Sequence, residues 1–398
     1  MRVKSLMIAA IIIVSILSGI SVQAAQTDFS IAAKSAVLME PFSGKILFEQ
    51  DAHQRLAPAS VTKVMTMLLI LEAVDAKRIT WDEKITTTAI AAGMGGSQIY
   101  LKEGEEMTLD EMFKAIAVVS ANDASTAVAE HLYGTDEDFV IAMNQRARQL
   151  GLKDTHFANE TGLPDPEHYS SAYDLAVISR ELLKHPVIFK YTSIWMDSLR
   201  NGEFKLRNTN ELIRVYRGAD GLKTGHTAEA KFSLAATAKK GNFRLLSVIM
   251  GAETNTIRIA QSKRLLDYGY RNYQWKEIHP SNQTIGRVYI KEAQTEMIPV
   301  KVKNDFGVVV ERGKDQLVDT QIIPKTKLIF PIKQGQQIAT IEADINGKKL
   351  GRAGLYATAT VKKANILTRS WRWLRDIFKG MFGKKNQKFI ESMVKAFE

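Results

Sequence analysis

The hydrophobic period of this chain changes near residue 275, and that change limits what it can fold into. From Thr27 to Gln274, long apolar segments at helical spacing are mixed with a few strand-like runs. From Gln283 to about Val361 the apolar residues alternate in steps of two, the period of a half-buried strand. A break of this kind in a chain of 398 residues predicts separate cores instead of one. The expected class is α+β: a helical cluster with an antiparallel sheet over 27–275, a linker near Trp275 to Asn282, and a small β-rich domain over 283–362.

Local signals fill in this outline. Val61 to Ala76 is a long apolar run with helical spacing, and Thr108-x-x-Glu111 reads as a capping box that opens a helix through Met112, Ile116 and Val119. Lys231 to Ala238 and Phe243 to Gly251 flank Lys239-Lys240-Gly241-Asn242, a strand pair around a turn that the Lys223 segment should join. In the second part, Val300 with Val302, Val308 to Val310, and Leu328 with Phe330 and Ile332 read as strands, and Asn346-Gly347 as a hairpin turn. Nothing there carries catalytic chemistry.

The ends of the chain point to an envelope. Arg2 and Lys4 precede an uncharged apolar stretch, Met7 to Ile20, and Val22-Gln23-Ala24 offers small residues for cleavage, so residues 1–24 read as a secretory signal peptide. A retained anchor is the alternative, and the run is short for a spanning helix. The chain has no cysteine, which removes disulfides and thiolate metal sites and leaves burial to stabilise the fold. No motif implies a metal or organic cofactor. The net charge of +11 calls for an anionic partner. Export favours a membrane surface or wall polymer over nucleic acid.

Residues 366–398 read as helix again. Leu367, Trp371, Leu374, Phe378, Met381 and Phe382 form one stripe, with Arg369, Arg372, Asp376 and Lys379 opposite, an interfacial pattern suited to an anionic membrane. Packing on the β-rich part is the competing expectation.

Three short motifs carry the chemistry. Ser60 and Lys63 stand three residues apart at the start of the long apolar helix and so share a face. A serine hydroxyl needs a base within hydrogen-bond reach, and a lysine becomes one when burial lowers its pKa. Ser120-Ala121-Asn122 lies between two helical stretches, where a tight connection can hold a hydroxyl and an amide toward a cleft. Gly221-Leu222-Lys223-Thr224-Gly225-His226-Thr227 puts a cation and a hydroxyl on a strand, with a glycine that permits close backbone approach. Each motif is weak alone. In this order they form the signature of class A β-lactamases and penicillin-binding proteins.

With Phe157-Ala158-Asn159-Glu160-Thr161-Gly162-Leu163 and His168-Tyr169-Ser170-Ser171-Ala172-Tyr173-Asp174 added, the stretch from about Ala36 to Tyr270 resembles the D-alanyl-D-alanine carboxypeptidases, the low-molecular-mass penicillin-binding proteins. The resemblance implies a β-lactamase/transpeptidase-like catalytic domain. It implies that Ser60 is acylated, that Lys63 takes its proton, and that Ser120 and Asn122 relay protons and hold the substrate amide. It assigns Lys223, Thr224 and Gly225 to the strand that binds the substrate carboxylate, with Arg258 assisting. The oxyanion donors would be the backbone N–H groups of Ser60 and His226, the His226 ring having no proton role, while Asp174 caps or orients local structure. Peptidoglycan stem peptides would be the substrates and β-lactams covalent inhibitors, outside the cytoplasmic membrane, on whose outer face the last helix would rest.

Endopeptidase or transpeptidase activity needs only another acyl acceptor or donor in the same site, and a non-catalytic penicillin-binding scaffold is the reading from another class. The intact Ser60, Lys63, Ser120, Asn122 and Lys223 argue against the scaffold. A β-lactamase would use a loop glutamate to position water, but Glu160-Thr161-Gly162-Leu163 runs into Pro164 where that pattern has asparagine.

Overall fold

The computed structural model describes residues 29–382. The stretch read as a signal peptide, and the helical spacing beyond Phe382, lie outside the described residues.

A five-stranded antiparallel sheet forms the centre of the first part. Its strands are β1 (Ser35–Glu40), β2 (Lys45–Gln50), β3 (Ala219–Thr227), β4 (Lys231–Lys240) and β5 (Phe243–Ala252), in the order β2-β1-β5-β4-β3. Every residue of β1 is buried, because both faces of the sheet are covered. Alternation then sorts the side chains. Val37, Met39, Val248 and Met250 point to the helical cluster, whereas Ala36, Leu38, Leu245 and Ile249 pack on the opposite side with Leu265 and Leu266.

The cluster surrounds α1 (Lys63–Asp75), which has buried residues all round its circumference and none of the one-sided pattern of a surface helix. Around it lie α2 (Leu109–Val119), α3 (Asn122–Tyr133), α4 (Asp136–Gln149) and α5 (Ala172–Leu182), and α6 (Asn255–Asn272) covers the other sheet face. Thr108 and Glu111 make the expected reciprocal capping box at the start of α2.

The segment expected to be a linker begins as strand. β6 (Tyr273–His279) follows α6 directly and pairs with β9 (Phe306–Glu311), while β7 (Thr284–Tyr289), β8 (Met297–Lys301), β10 (Asp319–Pro324), β11 (Gln337–Ile345) and β12 (Lys348–Ala357) form a second sheet, ordered β7-β8-β12-β11-β10. The β6–β9 ribbon is fastened to the first part: Trp275 meets Phe42 edge to face at 5.6 Å, and Lys45 Nζ donates to the Val309 carbonyl at 3.1 Å. The aromatic and charged residues of this strand do not alternate cleanly, so it carries no period-two pattern. Asn346 and Gly347, both with positive φ, turn the β11–β12 hairpin as expected. Leu328 to Ile332 is not a strand. Pro331 interrupts the run, yet Ile332 is buried and Leu328 and Phe330 still pack against the second core.

The last described helix, α7 (Ile366–Phe382), is held by residues 291–296, the turn between β7 and β8. It docks through its charged side. Arg372 is buried and donates to the carbonyls of Lys291, Ala293 and Gln294, while Leu367 and Leu374 are exposed. The helix therefore does pack on the β-rich part, but with the face opposite to the one a water-soluble domain would bury.

Candidate active site

Ser60 sits in a single turn of 3₁₀ helix, Ala59–Thr62, that runs into α1. The spacing then places Lys63 one turn on, with its ammonium 3.3 Å from Ser60 Oγ. Lys63 Nζ also donates to Asn122 Oδ1 and to the Thr161 carbonyl, both at 2.6 Å. All three acceptors are neutral and the side chain is wholly buried, so burial pulls its pKa down to about 7, against the opposing pull of the Glu160 and Asp123 carboxylates. A lysine so placed can exist as a free amine at neutral pH.

The Ser120-Ala121-Asn122 turn joins α2 to α3. Ser120 ends α2 in the left-handed conformation, with φ 66°, which turns its hydroxyl off the helix axis. Among the described residues Ser120 Oγ is buried with no hydrogen-bond partner. Asn122 divides its amide between Lys63 and the Gly95 carbonyl, the latter accepting from Nδ2 at 2.6 Å. Asp123 behind it accepts from the backbone N–H groups of Ile99 and Leu101 and so ties down the loop that reaches the site.

The third element is edge strand β3. Lys223 is buried, and burial first, then the nearby Lys63 and Arg258 cations, hold its pKa well below the usual lysine range. Its ammonium donates to the Thr224 carbonyl, and the Thr224 hydroxyl meets that of Thr209 at 2.7 Å. At Gly225 the strand passes so close to the Ser60 turn that a Cβ would lie 2.6 Å from the Pro58 carbonyl. The His226 ring stacks on Phe232 with centroids 4.0 Å apart, and its Nδ1 lies 3.1 Å from the Lys231 carbonyl. Arg258, on α6, is buried; its Nη1 reaches the Ser233 carbonyl at 3.3 Å and the Gly225 carbonyl at 3.5 Å, and burial lowers its pKa to about 10. It is thus directed at β3 and β4 and is not a solvated helix arginine.

The structure brings Ser60, Lys63 and Asn122 into direct hydrogen-bond contact and sets β3 against the Ser60 turn. The support comes from residues with no chemical signature. Asn159 Oδ1 accepts from the N–H groups of Thr161, Gly162 and Leu163, shaping a loop whose Thr161 carbonyl receives Lys63. His168 accepts the Ala158 N–H at Nδ1 and donates from Nε2 to Thr62 Oγ1 at 2.7 Å, joining that loop to the Ser60 turn. Burial pushes its pKa down to about 4, in keeping with a neutral ring. The Glu160 carboxylate accepts from Thr126 Oγ1 and its carbonyl from Thr66 Oγ1, so its side chain is engaged with α3. Asp174 accepts from the Asp154 N–H and Thr155 Oγ1, while Ser171 caps α5. The Phe-Ala-Asn-Glu-Thr-Gly-Leu and His-Tyr-Ser-Ser stretches marked these positions without disclosing their contacts. Thr209 carried no signal at all.

Residues 21–254 match the D-alanyl-D-alanine carboxypeptidase family, and residues 273–363 match the penicillin-binding protein 5 C-terminal domain. The chain belongs to the D-alanyl-D-alanine carboxypeptidase family. Among its members, D-alanyl-D-alanine carboxypeptidase DacF of Bacillus subtilis is 44% identical over 86% of this chain and 90% of its own length. Penicillin-binding protein 5 of Haemophilus influenzae has a similar structure, with a TM-score of 0.71 at 31% identity over 84% of this chain and 99% of that one. Penicillin-binding protein D2 of Listeria monocytogenes, solved in an ampicillin-bound form, matches with a TM-score of 0.56 and 31% identity over 61% of this chain and 99% of that one.

Proposed function

We propose that this enzyme removes the terminal D-alanine from peptidoglycan stem pentapeptides through an acyl-enzyme on Ser60. The observation that carries the reading is the Lys63 ammonium, buried, 3.3 Å from Ser60 Oγ, and lowered to about 7. As the free amine, Lys63 takes the Ser60 proton while Oγ attacks the penultimate D-alanine carbonyl. Backbone N–H groups of Ser60 and His226 stabilise the oxyanion. Ser120 passes the proton to the leaving amine, and its unpartnered hydroxyl suits that role. Asn122 holds the substrate amide. Lys223, Thr224 and Arg258 receive the substrate carboxylate, whose negative charge favours the protonated form that burial otherwise disfavours at Lys223. Gly225 keeps β3 close enough to complete the cleft. Water then releases the shortened peptide. A β-lactam presents the same amide and carboxylate and acylates Ser60 in turn.

The site is proposed to work outside the cytoplasmic membrane, after residues 1–24 have directed export and been removed, with α7 lying on the anionic outer face of that membrane. The inverted docking of α7 supports this, because it leaves an apolar stripe outward. No helix among the described residues is long and apolar enough to cross a membrane. The β-rich part then stands between the catalytic domain and the lipid.

Intact-protein mass spectrometry of the signal-free chain with a penicillin, beside Ser60→Ala, tests the mechanism. The expected result is an adduct that requires Ser60, together with D-alanine release from a stem pentapeptide. An adduct without release would replace the carboxypeptidase with a scaffold or a transferase, and no adduct would remove the serine mechanism.

A further inference from the structure

A free amphipathic segment of this length is marginally helical in water and orders itself only on the lipid. Here the helix is held beforehand at two levels. At its entry, Gln294 N donates to the Lys362 carbonyl at 2.8 Å and Ala364 N to the Glu292 carbonyl at 2.9 Å, so the chain leading into α7 is paired with the 292–294 turn. Further along, Arg372, only 9% exposed, donates to three carbonyls of that same turn region, Lys291 at 3.1 Å, Ala293 at 2.7 Å and Gln294 at 3.0 Å. Glu296 completes the contact: its Oε1 lies 3.4 Å from Arg372 Nε and accepts from Arg375 Nη2 at 3.2 Å and from the Tyr289 hydroxyl at 2.9 Å.

The chain just before the helix and Arg372 within it are both held by the 291–296 turn, which fixes the direction in which the helix sets out. The planar guanidinium of Arg372, matched to three carbonyls and a carboxylate, also fixes its rotation. Leu367, Trp371 and Leu374, which share a stripe at spacings of four and three, stay solvent-accessible in this arrangement, at 81%, 38% and 40% exposure.

We infer that Arg372, held by the 291–294 carbonyls and Glu296, is a preformed latch that lays the apolar stripe of α7 on an anionic bilayer in one fixed orientation and so sets how the catalytic domain stands over the lipid. This rests on the membrane reading of α7 given above and adds a positioning element to it. A helix joined only by a flexible linker would anchor equally well but leave the domain free to tilt. The latch removes that freedom before binding, which is preorganisation.

The absence of cysteine makes the test direct. Glu229→Cys, at the exposed turn between β3 and β4, gives a single labelling site in the signal-free chain. Energy transfer from this label to acceptor lipids in phosphatidylglycerol/phosphatidylcholine vesicles reports the distance of the catalytic domain from the bilayer. The latched protein should show one narrow distance distribution. Arg372→Ala should broaden it by at least about twofold, while vesicle affinity changes by less than about threefold, because the apolar stripe is untouched. Glu296→Gln, which keeps the shape and removes the charge, should broaden it less and carries the test if Arg372→Ala does not fold. Unchanged penicillin acylation certifies the catalytic domain in both. A variant distribution as narrow as that of the parent, at full vesicle binding, overturns the latch and leaves the anchor. Failure of the parent protein to bind vesicles overturns the membrane reading and the latch with it.

Discussion

Lys63 ties together most of the site's chemistry, and its titration is accessible. On the proposed mechanism acylation needs its free amine, so the second-order rate of penicillin acylation should rise with pH up to about 7 and level off above. Lys63→Ala should lower that rate by roughly 10²–10⁴-fold. Glu160 pulls the Lys63 pKa upward, so Glu160→Gln should move the acid limb to lower pH by up to about one unit. Burial raises the Glu160 pKa as well, and a limb that does not move would show that this carboxyl is already protonated when Lys63 titrates. His168 has a separate effect on stability. Its pKa falls, through burial, from 6.5 in the unfolded chain to about 4 in the fold. Between those values the unfolded chain binds the extra proton. The stability contributed by a neutral His168 is therefore full above about pH 6.5 and lost as pH falls to about 4, a total on the order of 3 kcal/mol. Denaturant melts across that window should show the loss, and His168→Gln should flatten it.

At the scale of elements, the site depends on close backbone approach, and glycines show where. Gly162 has φ +84° and a Cβ there would lie 2.0 Å from the Ala59 carbonyl, against the turn that carries Ser60. Gly104 has nearly the same φ, +77°, with open space around it. Both alanine variants incur left-handed strain of about 1–2 kcal/mol. Only Gly162→Ala should in addition displace the nucleophile turn, so it should slow penicillin acylation markedly while Gly104→Ala leaves the rate near that of the parent. Equal acylation by the two would mean that the Asn159–Leu163 loop does not position Ser60. The same loop shows what the sequence makes legible and what it hides. The long apolar run, the capping box and the Asn346-Gly347 turn announce themselves because local chemistry decides them. The Thr161 carbonyl as an acceptor for Lys63, and Thr209 beside Thr224, are long-range backbone and hydroxyl contacts with no local pattern. The linker expected near Trp275 to Asn282 begins as strand because pairing across the chain decides it, and Leu328 to Ile332, expected as strand, is not one because a proline interrupts the alternating run.

For the whole molecule, the proposed membrane reading gives the basic C-terminal stretch two surfaces to serve, the β domain and lipid. Residues 369–388 carry seven basic side chains and one acidic one. Arg372 is engaged with Glu296 and with the Lys291, Ala293 and Gln294 carbonyls, and Arg375 with Glu296, so on the proposed membrane reading these two serve the β domain and exposed Arg369 faces the headgroups. Truncation after Asn365 should therefore separate the two halves of the proposed function. The shortened chain keeps both β cores and the whole of the site, and should acylate with penicillin within about twofold of the parent rate, since acylation draws only on groups within hydrogen-bond reach of Ser60. Its co-sedimentation with phosphatidylglycerol vesicles should be lost. For the full chain, raising salt from about 0.1 to 1 M shortens the screening length from roughly 10 to 3 Å and should weaken vesicle binding. It should not abolish binding, because burial of Leu367, Trp371 and Leu374 does not depend on charge. Binding that survives truncation would place the membrane contact on another surface of this basic protein, and binding that vanishes with salt would make it electrostatic alone.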